Sequence, residues 1–209
     1  MDRSTKACLF LNGKKPGKAL IGRYCPPGYL KICTDGAYDY LHEYGIEPDI
    51  LLGDLDSVSA LASQPPFEVI RLPDVNAGDF EKALAYCKEN AIGLVRIFGA
   101  DGERIDHFLI NIILMTRSAG EIDIEMFTEK EYLHFLLPGE YHIPGVKGQR
   151  FSLLALKRTK ELTLRGAAYP LDNNTLETGS RGLSNTFSGA ELLIRFEQGL
   201  LLFMTEIKT

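Results

Sequence analysis

No stretch of the sequence approaches the roughly 20 consecutive apolar residues of a membrane helix, so no segment reads as one. The N-terminal apolar run, ACLFL, is too short for the core of a secretory signal, and a cytoplasmic protein is expected. Basic clusters are also missing: 23 Lys and Arg stand against 28 Asp and Glu, for a formal net charge of −5. That balance lacks the electrostatic footprint of a nucleic-acid binder. A polyphosphate bound here would need a cation or backbone amides to offset the charge. Cysteine is sparse, with four residues (Cys8, Cys25, Cys33, Cys87) and no C-x-x-C pair, and the four histidines lack ligand spacing. Both patterns argue against a zinc site or a disulfide framework, and the cysteines read as reduced thiols. Internal repeats and low-complexity linkers are absent as well.

What is present is ordinary globular composition in a chain of 209 residues, enough for one large domain or two small ones. Up to about residue 130, strand and helix signals alternate. KACLFLNG, LKICTD, PDILLGD, FEVIRLP, GLVRIFGA and DIEMFTE read as strands. AYDYLHEYG reads as a helix closed by Gly45, DFEKALAYCKEN as one burying Phe80, Ala83, Leu84 and Cys87, and ERIDHFLINIILMTRSA as a longer one. Beyond that point EYLHFLLPG, QRFSLLALK, ELTLRGA, AELLIRF and LLLFMTEI are short runs punctuated by Gly, Pro and Asn, and RFEQGLLLF has the look of a tight hairpin. The expected fold is therefore α/β: an N-terminal three-layer, parallel-sheet (Rossmann-like) domain over 1–130, then an all-β sandwich over 131–209.

In an open α/β sheet, ligands bind beyond the carboxyl ends of the strands. One such end carries Asp35-Gly36, and the next carries Gly53-Asp54-Leu55-Asp56-Ser57. PDVNAGD leads to Asp79 at a helix start, and GADGERIDH follows the fifth strand. Each aspartate alone could be a cap or a turn. Asp54 and Asp56 differ, because carboxylates at spacing two on an extended chain point the same way and repel unless a cation lies between them. A site of aspartates without His or Cys suits a hard cation, Mg²⁺ above all, which normally comes with phosphate. Gly99 and Gly102 would let backbone amides approach phosphate, with Arg104 as a cationic partner and His107 following Asp106 nearby.

Two chemistries fit this pattern. One is phosphoryl transfer at a metal–nucleotide site. The other is a phosphatase of the haloacid-dehalogenase type, because LLGDLDSV also fits D-x-D-x-[TV], with Asp54 as nucleophile and Asp56 as general acid/base. That motif usually sits on a first strand, whereas two strands precede it here.

Four blocks narrow the choice: TDGAYDYLHEYGIEPDILLGDLDSV, GDFEKALAYC, GADGERIDHFLINI, and GAAYPLDNNTLETGSRGLSNTFSGAELLIRFEQGLLLFM. In this order they resemble the thiamin pyrophosphokinase family along nearly the whole chain. The resemblance implies transfer of a pyrophosphoryl group from ATP to thiamin, with Mg²⁺ held by Asp54, Asp56 and Asp79. Asp35 lies nearby, and it or a metal-bound water would take the hydroxyl proton. The implied ATP-binding set is Asn12, Gly53, Asp54, Gly99, Asp101, Gly102, Arg104, Asp106 and His107. Ser184 and Asn185 would hold thiamin, and Phe203 would stack on it. A homodimer is implied, with thiamin between the α/β domain of one subunit and the sandwich of the other. One loop departs from the family's P-D-x-D-x-T-D: Asn76 replaces an acid and Gly78 the threonine, while Asp79 is kept. A non-catalytic nucleotide or thiamin sensor would be the outcome if those changes abolished turnover.

Overall fold

A computed structural model describes residues 5–56, 58, 63–72, 76–102 and 104–207. Ser57, Val75 and Glu103 therefore lie outside the described residues. The chain is a mixed α/β protein that divides into two compact units, the first ending at Glu129 and the second beginning at Lys130.

The first unit runs β1 (Lys6–Phe10), α1 (Lys18–Tyr24), β2 (Leu30–Thr34), α2 (Asp35–Glu43), β3 (Ile50–Gly53), β4 (Glu68–Arg71), α3 (Asp79–Glu89), β5 (Leu94–Phe98), α4 (Ile105–Ser118) and β6 (Asp123–Phe127). Its central sheet is parallel throughout, in the order β4-β3-β2-β1-β5-β6. A parallel sheet needs strands apolar on both faces, and Ala7, Cys8, Leu9 and Phe10 of β1 and all of β3 are buried. The chain leaves β1 toward β4 and then crosses back to β5 on the other side. Successive connections thus diverge between β1 and β5, the place where open sheets of this kind form a crevice.

Local signals hold up well here. α3 buries Phe80, Ala83, Leu84 and Cys87, the stripe the sequence presents. α2 ends at Gly45, whose φ is +67°, with Gly45 N–H donating to His42 O at 2.9 Å and Ile46 N–H to Leu41 O at 2.9 Å. That pair of bonds is a Schellman closure, which favours glycine at the left-handed position. α1 has no counterpart among the sequence signals: it has seven residues and buries only Leu20 and Ile21, too few to show a period.

The second unit is all β: β7 (Glu131–Leu136), β8 (Gly139–Pro144), β9 (Arg150–Arg165), β10 (Leu171–Leu176), β11 (Asn185–Thr186), β12 (Glu191–Phe196) and β13 (Gln198–Glu206), in antiparallel pairs. β9 is one strand of 16 residues that unites QRFSLLALK and ELTLRGA, which the sequence presents as two. Its first part pairs with β13 as far as Lys160, and its last part with β12 from Thr163. Glu161, at φ +57°, lies between the two ladders. The hairpin expected at RFEQGLLLF does not form. Among the described residues β12 and β13 share no ladder: β12 pairs with β8 and β9, β13 with β7 and β9. A tight turn reverses the chain without deciding which strand each arm will join.

Phe151, Phe187, Phe196 and Phe203 fill the core of this unit with Leu153, Leu162 and Leu164. Phe203 has 0% exposure and lies against Phe151 and Tyr132, at ring-centroid distances of 5.9 and 6.4 Å. Phe203→Ala is expected to cost about 3–5 kcal/mol of stability through loss of burial and the cavity left behind. Chemical denaturation, comparing midpoints and slopes, checks this.

Candidate active site

The carboxyl ends of β2 and β3 bring acids together. β2 passes without a loop into α2, so Asp35 is the first residue of that helix, and it is only 3% exposed. Its Oδ1 accepts the Gly36 N–H at 2.6 Å, and its Oδ2 accepts the Leu55 N–H at 3.2 Å. The second bond stitches the end of β2 to the loop after β3. Gly53 makes this approach possible, since a Cβ there would lie 2.8 Å from the Asp35 Cγ. Beyond it Leu55 adopts φ +70°, and Asp54 Oδ1 accepts the Asp56 N–H at 3.2 Å, a local turn of the kind Asp side chains favour. As a result one carboxylate oxygen from each of Asp35, Asp54 and Asp56 lies within 4.8 Å of the others.

Electrostatics shows the same crowding. The Asp35 carboxyl is raised above its ordinary value, first by burial and then by the charges of Asp79 and Asp54, against the pull of the Gly36 N–H. Asp54 is lowered, chiefly by the Asp56 N–H. A hydrogen bond between Asp35 and Asp54 favours the proton on Asp35. Three acids this close do not all ionise freely without a counter-charge. Oxygens around one Mg²⁺ at its usual bond lengths lie about 3–4 Å apart, so small side-chain rotations would let this group share an ion. An all-carboxylate donor set also fits a hard cation better than a soft one.

Asp79, the first residue of α3, stands outside the 4.8 Å group, although its charge reaches Asp35. Its Oδ1 lies 3.3 Å from the Lys82 Nζ, and the Lys82 side chain is only 9% exposed. The Lys82 charge also lowers Asp54. Lys82 was not among the residues singled out from the sequence. The available signal was its position three residues after Asp79, on the same face of a helix.

A second set of residues gathers at the β1/β5 crevice. Gly13 N–H donates to Gly99 O at 2.8 Å and Lys14 N–H to Asp101 O at 2.5 Å, so the two loops run side by side. Asn12 lies on the first turn of α2: a Cβ on Gly36 would come within 2.0 Å of its Nδ2. Burial raises the Asp101 carboxyl, which the Lys14 charge partly offsets. Asn111 of α4 donates through Nδ2 to Ala100 O at 2.8 Å, tying the helix to the same loop. Ahead of it, exposed Arg104 and Asp106 pair at 2.6 Å, and Asp106 Oδ1 accepts the His107 N–H at 3.0 Å. The Arg104 guanidinium, more than any other group, holds the Asp106 carboxyl down at about 2.

Ser184, Asn185 and Phe203 lie in the second unit. Ser184 adopts φ +57°, and its N–H donates to Ser152 Oγ at 3.0 Å. Asn185 is buried, and its amide is occupied by backbone. Oδ1 accepts the N–H groups of Tyr169 and Thr186 at 3.1 and 2.8 Å, and Nδ2 donates to Tyr169 O at 2.9 Å. Phe203, expected to stack on a heterocycle, offers no ring face, because the core encloses it. The exposed aromatic in this region is Tyr169, at 74% exposure, held by Asn185 on both sides of its backbone. Its signal in the sequence was the Tyr-Pro step of GAAYPL.

Comparison with known proteins matches two family profiles to this chain. One, described as "Thiamin pyrophosphokinase, catalytic domain", takes in residues 24–126. The other, "Thiamin pyrophosphokinase, vitamin B1 binding domain", takes in residues 140–201. A curated relative, thiamine pyrophosphokinase of Bacillus subtilis (strain 168), is 29% identical over 184 residues, covering 84% of this chain and 86% of its own. The crystal structure of thiamine pyrophosphokinase from Bacillus subtilis superposes with a TM-score of 0.85 at 25% identity, covering 98% of this chain and all of that one. The thiamin pyrophosphokinase from Geobacillus thermodenitrificans gives 0.80 at 25% identity, over 97% and 98% of the two chains.

The geometry makes Gly53 a sensitive position. Gly53→Ala is expected to cost about 1–3 kcal/mol by forcing the Asp35 carboxyl aside, and to abolish any stabilisation by added Mg²⁺. Thermal melts with Mg²⁺ and with chelator measure both effects.

Proposed function

The chain belongs to the thiamin pyrophosphokinase family, and on that premise we propose that it transfers a pyrophosphoryl group from ATP to the hydroxyl of thiamin, giving thiamin diphosphate and AMP. The observation that carries the proposal is the convergence of Asp35, Asp54 and Asp56 at the carboxyl edge of the parallel sheet. Asp54 and Asp56 would hold Mg²⁺, with Asp79 as the third acid of the family pattern and Asp35 beside them. When bound, the ion neutralises charge on the phosphate oxygens and helps align them.

The remaining work falls to the chain itself. The thiamin hydroxyl oxygen attacks the β-phosphorus, the bond from that phosphorus to the α-phosphate bridging oxygen breaks, and AMP departs. Asp35, the most buried of the three acids, would accept the hydroxyl proton in its ionised form. Lys82 supplies positive charge close to Asp54 and Asp79. Asn12, Gly53 and the Gly99–Gly102 loop face the nucleotide with backbone and amide groups, and Arg104, Asp106 and His107 complete that side. Most of the rate enhancement in such a reaction is positioning and electrostatics.

In this reading the first unit is a Rossmann-like nucleotide domain and the second a sandwich that binds thiamin. There, Ser184 and Asn185 shape the turn that presents Tyr169 to the heterocycle. ATP as donor supports a cytoplasmic location. A homodimer completes the proposal, supported by the exposed Ile105, Leu109, Ile110 and Ile113 of α4. Asp106 and Arg117 lie toward opposite ends of that helix, so two copies laid antiparallel bring opposite charges together.

Incubation with Mg²⁺, ATP and thiamin should yield AMP and thiamin diphosphate. ADP as the product would overturn the proposal. Phosphate release without thiamin would favour the phosphatase chemistry, and thiamin binding without turnover a sensor. Asp54→Asn should lower kcat by about 10²–10³, the scale of losing one preorganised electrostatic group. Ile113→Glu should shift the molecular mass measured by light scattering from dimer to monomer, and an unchanged mass would remove α4 from the interface.

A further inference from the structure

The fold brings together two cysteines that neither the sequence spacing nor the proposed reaction connects. Cys8 lies in β1, in register with Lys31 of β2 and Arg96 of β5. Laterally paired residues project to the same face of a sheet, so the Cys8 thiol is flanked by two cationic side chains. Cys25 closes α1, with its N–H donating to Ile21 O at 2.8 Å, and it is half-buried where Cys8 is fully enclosed. Each thiol perturbs the titration of the other, and neither cysteine is in a disulfide. Arg96 is anchored at this point: its Nη1 donates to Tyr24 O at 3.0 Å, the carbonyl next to Cys25.

We propose that Cys25 and Cys8 form a peroxide-reactive dithiol, in which half-exposed Cys25 is the nucleophile and buried Cys8 resolves it to a disulfide. Exposure sets this order: a peroxide reaches half-buried Cys25 first, whereas Cys8 is fully enclosed. The neighbouring Cys8 lowers the Cys25 thiol most, and Lys31 and Arg96 add to this, against burial and Asp49. Each cation also has a carboxylate of its own, Lys31 with Asp49 at 3.3 Å and Arg96 with Glu125 at 2.6 Å, and Arg96 lies over the Tyr29 ring. The carbonyl end of α1 opposes a thiolate too. The neighbouring Cys25 and burial raise Cys8. Cys33 and Cys87 have no such arrangement. Burial raises both, Cys87 to about 12.

The chemistry balances with a hydroperoxide as the two-electron oxidant. The Cys25 thiolate attacks the distal peroxide oxygen, the O–O bond breaks, and the leaving oxyanion takes a proton and departs as alcohol or water. Cys25 is left as a sulfenic acid. Cys8 then loses its proton as its sulfur attacks that of Cys25, and the expelled hydroxide takes the proton to form water. Two thiols and one hydroperoxide become one disulfide, one alcohol (or water) and one water. The inference is independent of the proposed activity, which uses neither cysteine.

Hydrogen peroxide added to the full-length native protein should lower its intact mass by ~2 Da, the two hydrogens lost in disulfide formation. Peptide mapping should then link Cys8 to Cys25. In Cys8→Ser, a dione probe should trap sulfenic acid at Cys25, and Cys25→Ser should abolish both products. Independently of any variant, iodoacetamide should label Cys25 of the native protein at least about tenfold faster than Cys33 or Cys87, with a pH midpoint below that of a free thiol. Equal labelling rates, a link between other cysteines, or no mass loss with peroxide would overturn the proposal.

Discussion

The confinement of negative charge at the edge of the parallel sheet is the constraint on which the rest of the candidate site depends. Asp35 is almost fully buried, yet it keeps two backbone N–H donors, one from its own helix and one from the loop after β3. Those bonds are possible only because Gly53 has no side chain to occupy the same space. Asp54 and Asp56, both exposed, each bring one oxygen within 4.8 Å of Asp35, so two strands, one glycine and one local turn create a cluster that a divalent cation would relieve. Lys82 and Asp79 extend this balance from α3, placing one nearly buried ammonium beside the acids.

The sheet topology adds the second wall. Because the chain leaves β1 in one direction and returns to β5 from the other, the loops after these strands meet at the place where connections diverge. Backbone bonds from Gly13 and Lys14 to Gly99 and Asp101 hold them side by side. Phe10, Phe98 and Phe127, stacked on β1, β5 and β6 at 5.2 and 5.5 Å, stiffen the sheet beneath. Aromatic pairs of this kind add about 0.5–1.5 kcal/mol each beyond burial.

Much of this was legible one residue at a time. The strands of the first unit show as apolar runs because a parallel sheet buries both faces, and α3 shows because its stripe repeats at helical spacing. The D-x-D at the end of β3 shows because two like charges rarely share a strand end without a reason. Other features left no local trace. α1 is too short to carry a period. β9 looks like two strands because its charged middle, with Glu161 at positive φ, interrupts the apolar pattern, although the backbone continues. The family resemblance makes Phe203 a stacking residue, whereas its packing makes it a core residue, as its apolar run suggests. Lys82, Tyr169 and the Cys8–Cys25 pair acquire meaning only from what lies next to them.

The sequence alone determined the alternation of strands and helices in the first unit apart from α1, the change to β structure near residue 130, the positions of the acids and the family resemblance. These depend on side-chain type and short-range periodicity, which a linear chain records directly. Tertiary structure decided which acids meet, which strands flank β9, which aromatic faces solvent and which thiols come near each other. Each of these is a distance between residues far apart in the chain, set by how the sheets close and where a missing Cβ lets two segments approach.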